Sequence, residues 1–359
     1  DMNALFKPLS FKRGPSMKNR FMLAPLTNSQ SHEDGLLSEE EFHWLTMRAK
    51  GGFGLTMTCA AHVQAAGKGF PGQLGVFADT HIDGLARLAR AIKKEQSIAI
   101  CQLYHGGMRA PKEVTGLTPL CPSDNAETGA RALSLLEIKE IVEDFISAAI
   151  RAERAGFDGI ELHGAHGYLL CQFFSQETNK RDDSYGGSLL NRSRILFDII
   201  DGIRQRCGPN FIIGVRLSAE RFGMELDDSI ALARRLCEEG NIEFLDMSLW
   251  DSFKDPNEKE KQGRSLLSYF NEIDRGEVRL GVAGKIRTPD DAERIIAEGI
   301  DWVMLGRAAI LHHNFPLLME QDTNFLPVEN PVSREHLKKE GLSEKFIDYM
   351  STWKGFVTD

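Results

Sequence analysis

The chain has 359 residues, 42% of them hydrophobic and 26% charged, with a formal net charge of −9. That length suits one large domain with a full core, and α/β barrels of this size need not divide in two. A negative balance with no dense Lys/Arg run argues against a nucleic-acid partner or an anionic membrane surface, and no apolar run is long enough to span a bilayer.

From Met2 to Asn19, basic residues (Lys7, Lys12, Arg13, Lys18) alternate with short apolar runs, so no secretory signal is expected; Asp1 ahead of Met2 reads as a cloning remnant. The six cysteines, at 59, 101, 121, 171, 207 and 237, include no Cys-x-x-Cys pair, which predicts reduced thiols in a cytoplasm.

Along the chain one phrase repeats: an amphipathic helix, a glycine, then a short apolar strand. It appears around Gly51-Gly52, Gly156, Gly240 and Gly299. Each glycine stands where a helix C-terminus needs a left-handed residue, and the strands that follow are apolar on both faces, as in a buried parallel sheet. The expected strands are Arg20–Ala24, Leu55–Ala60, Ile98–Leu103, Gly159–His163, Phe211–Leu217, Phe244–Ser248, Arg279–Val282 and Trp302–Leu305. Ser134-x-x-Glu137 is a capping box, and Thr288-Pro289 places a capping hydroxyl before a first-turn proline. Eight alternating units predict a single-domain α/β fold, a closed (β/α)8 TIM barrel, with a doubly wound open sheet as the alternative. The stretches 105–131 and 164–190 carry no expected strand and follow strands three and four, on the face where barrels keep their sites. The barrel is assigned to residues 2–316. Residues 317–359 read as a helical extension, ending in Phe346, Tyr349, Trp353 and Phe356, that packs on the barrel or on a neighbouring subunit of a homo-oligomer.

Polar residues at C-terminal strand ends are the site candidates: Thr27, Gln102, His163 with His166 and Tyr168, Arg216, Gly284 with Lys285, and Gly306 with Arg307. The loops after strands seven and eight suit a phosphate. Gly284 and Gly306 permit close backbone approach, Arg307 supplies a fork of donors, and Ala308–Leu311 can form a short helix facing the anion. The bland alternative is two tight turns and a surface arginine. Gln102 and Arg216 alone could be a buried polar pair bridging strands. His163-x-x-His166 could hold zinc, but no third ligand can be nominated, so no metal is assigned.

The segments Asn19-Arg20…Ala24-Pro25-Leu26-Thr27, Gln102-Leu103-Tyr104-His105-Gly106-Gly107, His163-Gly164-Ala165-His166-Gly167-Tyr168-Leu169 and Asn179-x-Arg181-x-Asp183-x-Tyr185-Gly186-Gly187-Ser188, with Gly306-Arg307, resemble motifs of the old yellow enzyme family. They occur in order from Phe6 to about Pro316. The resemblance implies an FMN-dependent ene-reductase that takes electrons from NADPH or NADH. It implies that Ala24, Pro25 and Thr27 line one edge of the isoalloxazine, that Ala60 is small where the ring lies close, and that Gln102 pairs with the pyrimidine edge. Arg216 would sit beside N1 and O2, where negative charge collects on the reduced flavin. His163 and His166 would donate to a substrate carbonyl, and Tyr168 would protonate the α-carbon, a phenol being a neutral donor near pH 7. No Gly-x-Gly-x-x-Gly fingerprint stands ready for a pyrophosphate, which favours FMN over FAD.

The chain departs from the family pattern at Ser29, where some relatives carry an aromatic, and at Phe174–Glu177 and Leu189-Leu190, where prolines are common. No cysteine cluster for iron–sulfur chemistry follows strand eight. Two rivals are a phosphate-binding aldolase or isomerase, for which Lys285 is the one tempting lysine, and a barrel that binds without turnover.

Overall fold

The glycine expected after each amphipathic helix is there for a backbone reason: Gly156 and Gly240 take φ values of 94° and 64°, which L side chains resist. The computed structural model describes residues 3–358, so Asp1, Met2 and Asp359, at the limits of the two expected spans, lie outside the described residues.

Eight strands follow in chain order: β1 Phe21–Leu23, β2 Leu55–Met57, β3 Ile98–Tyr104, β4 Gly159–Gly164, β5 Ile212–Ser218, β6 Phe244–Ser248, β7 Arg279–Ala283 and β8 Trp302–Leu305. Each pairs in parallel with the next, and β8 pairs back onto β1. The sheet is therefore closed, and the open alternative is excluded. Between successive strands run α1 Glu39–Lys50, α2 Ile82–Lys94, α3 Leu135–Arg154, α4 Arg194–Arg206, α5 Leu226–Glu239, α6 Leu266–Asn271 and α7 Pro289–Ala297. Both expected caps form: Ser134 with Glu137 opens α3, and Thr288 with Asp291 opens α7 ahead of Pro289.

A strand points alternate side chains into the barrel. In the lower half those residues are apolar, including Met22, Leu55, Ile98, Ile212, Phe244, Trp302 and Met304. Gly214 and Gly281 make room for two large rings: a Cβ at either would lie 2.1 Å from Phe244 or from Trp302. Below them the N-terminal segment closes the bottom, Leu9 pairing with Met17 while Phe11 packs 5.9 Å from Phe244 and 6.1 Å from Trp302.

Three details differ from the sequence reading. The stretch 105–131 contributes to a two-stranded parallel pair, Leu120–Cys121 with Arg131–Ala132, too short to carry a periodic signal. The tail, read from sequence as an extra helix or two, holds three short helices, Phe315–Gln321, Arg334–Lys339 and Glu344–Ser351. Ala60 lies past the end of β2, directly before a two-residue strand, Ala61–His62, that pairs in parallel with Leu103–Tyr104 of β3. All six cysteines are buried and unpaired. Among the described residues no helix is long and apolar enough to cross a membrane, and no group of three or more His, Cys, Asp or Glu side chains is placed to hold a metal.

Candidate active site

The same alternation that fills the lower barrel with apolar side chains turns polar at the C-terminal ends. In β3 it continues from Ile98 and Ile100 to Gln102, and in β5 from Ile212 and Gly214 to Arg216. Register then makes the polar residues cross-strand neighbours: Gln102 opposite Glu161, His163 opposite Arg216, and Arg216 opposite Asp246.

Gln102 donates its amide to Glu161 Oε1 at 2.8 Å, and Arg216 Nε lies 3.2 Å from Asp246 Oδ2. Two carboxyls thus share one cation in a fully buried layer. Burial raises both carboxyls; the Asp246 charge pushes Glu161 further, well above the ordinary range, while Arg216 pulls Asp246 back, so Glu161 keeps its proton and Asp246 is the counterion of Arg216. Sequence reasoning missed this pair. Its signal was present: Glu161 and Asp246 are lone acids in otherwise apolar strands, where a charge is expensive unless paired.

Above this layer a cavity is lined by Pro25, Thr27, Ala60, Gln102, His163, His166, Tyr168 and Arg216. It continues along Ala24, Gly284, Lys285, Gly306 and Arg307, with Pro25, His166 and Arg216 common to both parts. Every residue nominated from sequence therefore falls on one groove across the barrel mouth. Arg307 and Arg287, the latter not anticipated, face one end; burial first, then the Arg287 charge, lowers the Arg307 pKa. Lys285 is exposed at φ 51°, 3.7 Å from Asp251. Gly284 is needed for close approach, because a Cβ there would lie 2.8 Å from the Trp250 backbone. Gly306 has ordinary room, its nearest Cβ neighbour being Leu26 at 3.4 Å. The helix that starts at Arg307 is only five residues long, and buried Arg48 clamps it by donating to the carbonyls of Ala309 and Ile310.

The two histidines differ. His163 Nδ1 accepts the Ala165 N–H at 3.2 Å, which leaves Nε2 to carry the proton. Burial, reinforced by Arg216, pulls its pKa down to about 3, so the ring is neutral. His166, half-buried at φ 61°, places Nε2 2.8 Å from Ser248 Oγ, so only Nδ1 is free toward the cavity. Its pKa is lowered in the same way. Tyr168 stands edge-on to His163, with centroids 5.0 Å apart, and to Tyr104 at 4.6 Å. Arg109 lies over the Tyr168 ring at 4.3 Å and donates to the His166 carbonyl. Tyr104 and Arg109 were not nominated either, although Tyr104 sits inside a recognised motif.

Tyr349, Met350 and Trp353 from the tail line the cavity mouth, and Arg307 lies 5.7 Å from the Trp353 ring.

The groove suits a flat heterocycle bearing a terminal phosphate. Among the described residues no hydrogen bond engages the amide oxygen of buried Gln102, the outer guanidinium edge of buried Arg216 or the hydroxyl of half-buried Thr27. Buried polar groups of this kind call for a partner.

Comparison with known proteins agrees. A profile described as the NADH:flavin oxidoreductase / NADH oxidase family matches residues 4–324. The chain is 36% identical over 368 residues to the probable NADH-dependent flavin oxidoreductase YqiG of Bacillus subtilis (strain 168), covering 98% of this chain and 97% of that protein. It is 35% identical over 314 residues to the NADH oxidase of Thermoanaerobacter brockii, covering 84% of this chain but only 48% of that larger protein. Among solved structures, the old yellow enzyme homologue of Zymomonas mobilis superposes with a TM-score of 0.81 at 26% identity, covering 95% of this chain and 99% of that one. Morphinone reductase in complex with tetrahydroNAD gives 0.78 at 26% identity, covering 93% and 94%.

Proposed function

From the premise that this chain belongs to the NADH:flavin oxidoreductase / NADH oxidase family, that of old yellow enzyme, and is an FMN-dependent NAD(P)H oxidoreductase, we propose that it reduces activated C=C bonds in α,β-unsaturated carbonyl or nitro compounds. The observation that carries this reading is a fixed, neutral N–H donor on His163 with the Tyr168 ring edge-on to it at 5.0 Å, both lining one cavity with Thr27, Gln102 and Arg216.

Gln102, Thr27 and Arg216, with Ala24, Pro25 and Ala60, would hold the flavin ring, and Arg307 with Lys285 and the Gly284 and Gly306 turns would receive its phosphate. When bound, FMN supplies the hydride, taken from NADH or NADPH and delivered to the substrate β-carbon. His163 donates Nε2–H to the substrate oxygen, and His166 donates from Nδ1, the nitrogen that Ser248 leaves free. Hydrogen bonds to that oxygen draw charge from the alkene and stabilise the enolate that forms. Because burial keeps both imidazoles neutral, they polarise without protonating. Tyr168 delivers its hydroxyl proton to the α-carbon, so hydride and proton together saturate the bond. Asp246 holds Arg216 in place, and Glu161 holds Gln102.

Cyclic enones, maleimides and nitroalkenes offered to the FMN-loaded enzyme with NADH or NADPH test the proposal. Nicotinamide consumption should equal formation of the saturated product under anaerobic conditions. Oxidation of nicotinamide by dioxygen alone, with every alkene recovered unchanged, would overturn it.

A further inference from the structure

Beyond Tyr168 the groove opens into a side cavity of about 260 Å³ that shares His166 and Tyr168 with the reaction pocket. Its outer walls come from loops after three strands: Arg109 after β3, Arg221 and Phe222 after β5, and Trp250 after β6. Its charge is unbalanced. Among the described residues Arg109 donates to the His166 carbonyl alone and stacks on Tyr168, while Arg221 lies 4.0 Å from the Trp250 centroid. Among the described residues neither guanidinium has a carboxylate within ion-pair distance. The one acid lining the cavity, Glu220, is spent: it pairs with Lys254 and accepts the Asn257 N–H at 2.8 Å. Two cations therefore face the cavity without a counterion.

The aromatic residues beside them are exposed, Trp250 by 58% and Phe222 by 41%. Arg221, Phe222 and Trp250 all take positive φ, at 71°, 54° and 69°, a backbone state that ordinary side chains adopt at a cost. Exposed rings and bare guanidinium groups held together beside a reaction pocket are the features of a binding surface for a flat, acidic molecule.

We propose that this side cavity binds the acidic group, a carboxylate or a phosphate, of a reactant whose reacting carbon lies beside His163 and Tyr168. This rests on the reading of that pocket as the reaction site. The acidic group belongs either to the electron acceptor, as a carboxylate, or to the nicotinamide donor, as its phosphates.

Arg221→Asn in the FMN-loaded enzyme is the test, because asparagine tolerates the left-handed backbone while removing the guanidinium and its charge. Two matched pairs are compared: cyclohexenone with a carboxylated cyclohexenone, and NADH with the phosphate-free 1-benzyl-1,4-dihydronicotinamide. Steady-state kcat/KM is read for each acceptor and the flavin-reduction rate for each donor. Calorimetric Kd values of both acceptors on the oxidised enzyme give a readout that needs no turnover. The expected result is a loss of about tenfold or more for the charged member of one pair, its neutral partner changing less than about twofold. Loss confined to the carboxylated enone assigns the cavity to the acceptor, and loss confined to NADH assigns it to the donor. Equal effects within both pairs, or none in either, overturn the inference. Failure of wild-type enzyme to reduce neutral cyclohexenone counts against the ene-reductase reading alone, since the calorimetric and donor comparisons still report on the cavity.

Discussion

Arg216→Met keeps a linear side chain of similar reach but strips the cation from the acidic layer under the groove. Asp246, fully buried and 3.2 Å from the lost Nε, then has no counterion. Leaving it ionised costs more than protonating it, so the penalty is capped by the work of protonating an ordinary aspartate of pKa about 3.9, which is about 4 kcal/mol at pH 7. For a chain of this length, with unfolding entropy about 0.75 kcal/mol/K, that lowers Tm by about 5 °C. In the variant the folded-state pKa of Asp246 lies above its unfolded value. Between those values the folded state binds more protons, and stability falls as pH rises. The deficit must therefore shrink by about 1.4 kcal/mol per unit on acidification, to about 1.5 kcal/mol at pH 5. Asp246→Asn alone should cost much less, because Glu161 loses the charge that holds its proton on and becomes the counterion of Arg216. In the double variant the penalty should fall at least about 2 kcal/mol short of the sum of the singles. Urea melts at pH 5, 6 and 7, at matched flavin occupancy, measure all of this. A pH-independent deficit, or additive singles, would refute a buried Arg216–Asp246 pair with Glu161 protonated.

Tyr168→Phe should slow enone reduction by about 10²–10⁴-fold and leave flavin reduction by nicotinamide within about twofold, since only the former needs the phenolic proton; stopped-flow measurement of the two half-reactions decides it, and equal losses would remove Tyr168 as the donor. His163, with its pKa pulled from 6.5 to about 3, makes the unfolded chain the better proton acceptor below pH 6.5, so stability is lost as pH falls from there toward pH 3, by about 1.4 kcal/mol at pH 5.5. His163→Asn should abolish that share of the acid sensitivity in urea melts, and an unchanged pH profile would show the ring is not held neutral. Trp353→Ala removes a ring from the cavity mouth and from Arg307, and should raise KM for bulky enones by about tenfold with kcat nearly unchanged; parallel loss in kcat would place Trp353 in a different role.

How far the sequence could be read depended on the range of the signal. The eight strands were legible to within a few residues because an apolar run bounded by a helix-ending glycine is local information, as at Gly156 before β4 and Gly240 before β6. The helices of the tail were under-read although Ser333 and Ser343 cap two of them, because each spans only two turns and shows little period. His163, His166 and Tyr168 were legible as a motif, yet their division of labour was not. That Nδ1 of His163 is taken by the Ala165 N–H is local, but the engagement of His166 Nε2 by Ser248 depends on a neighbour 82 residues away.

Barrel closure accounts for what local reading could not supply. Because strands three to six are consecutive neighbours around the ring, the loops that follow them must meet above it, whatever residues they carry. Arg109, Tyr168, Arg221 and Trp250 come from those four loops and share one cavity. Which charges converge there is therefore set by topology, and the position of each counterion separates two outcomes. Arg216, whose carboxylate sits on the adjacent strand, is a cation the protein balances internally. Arg221, whose neighbours are rings, and Arg109, which finds only a carbonyl, are cations left for something outside the chain to balance.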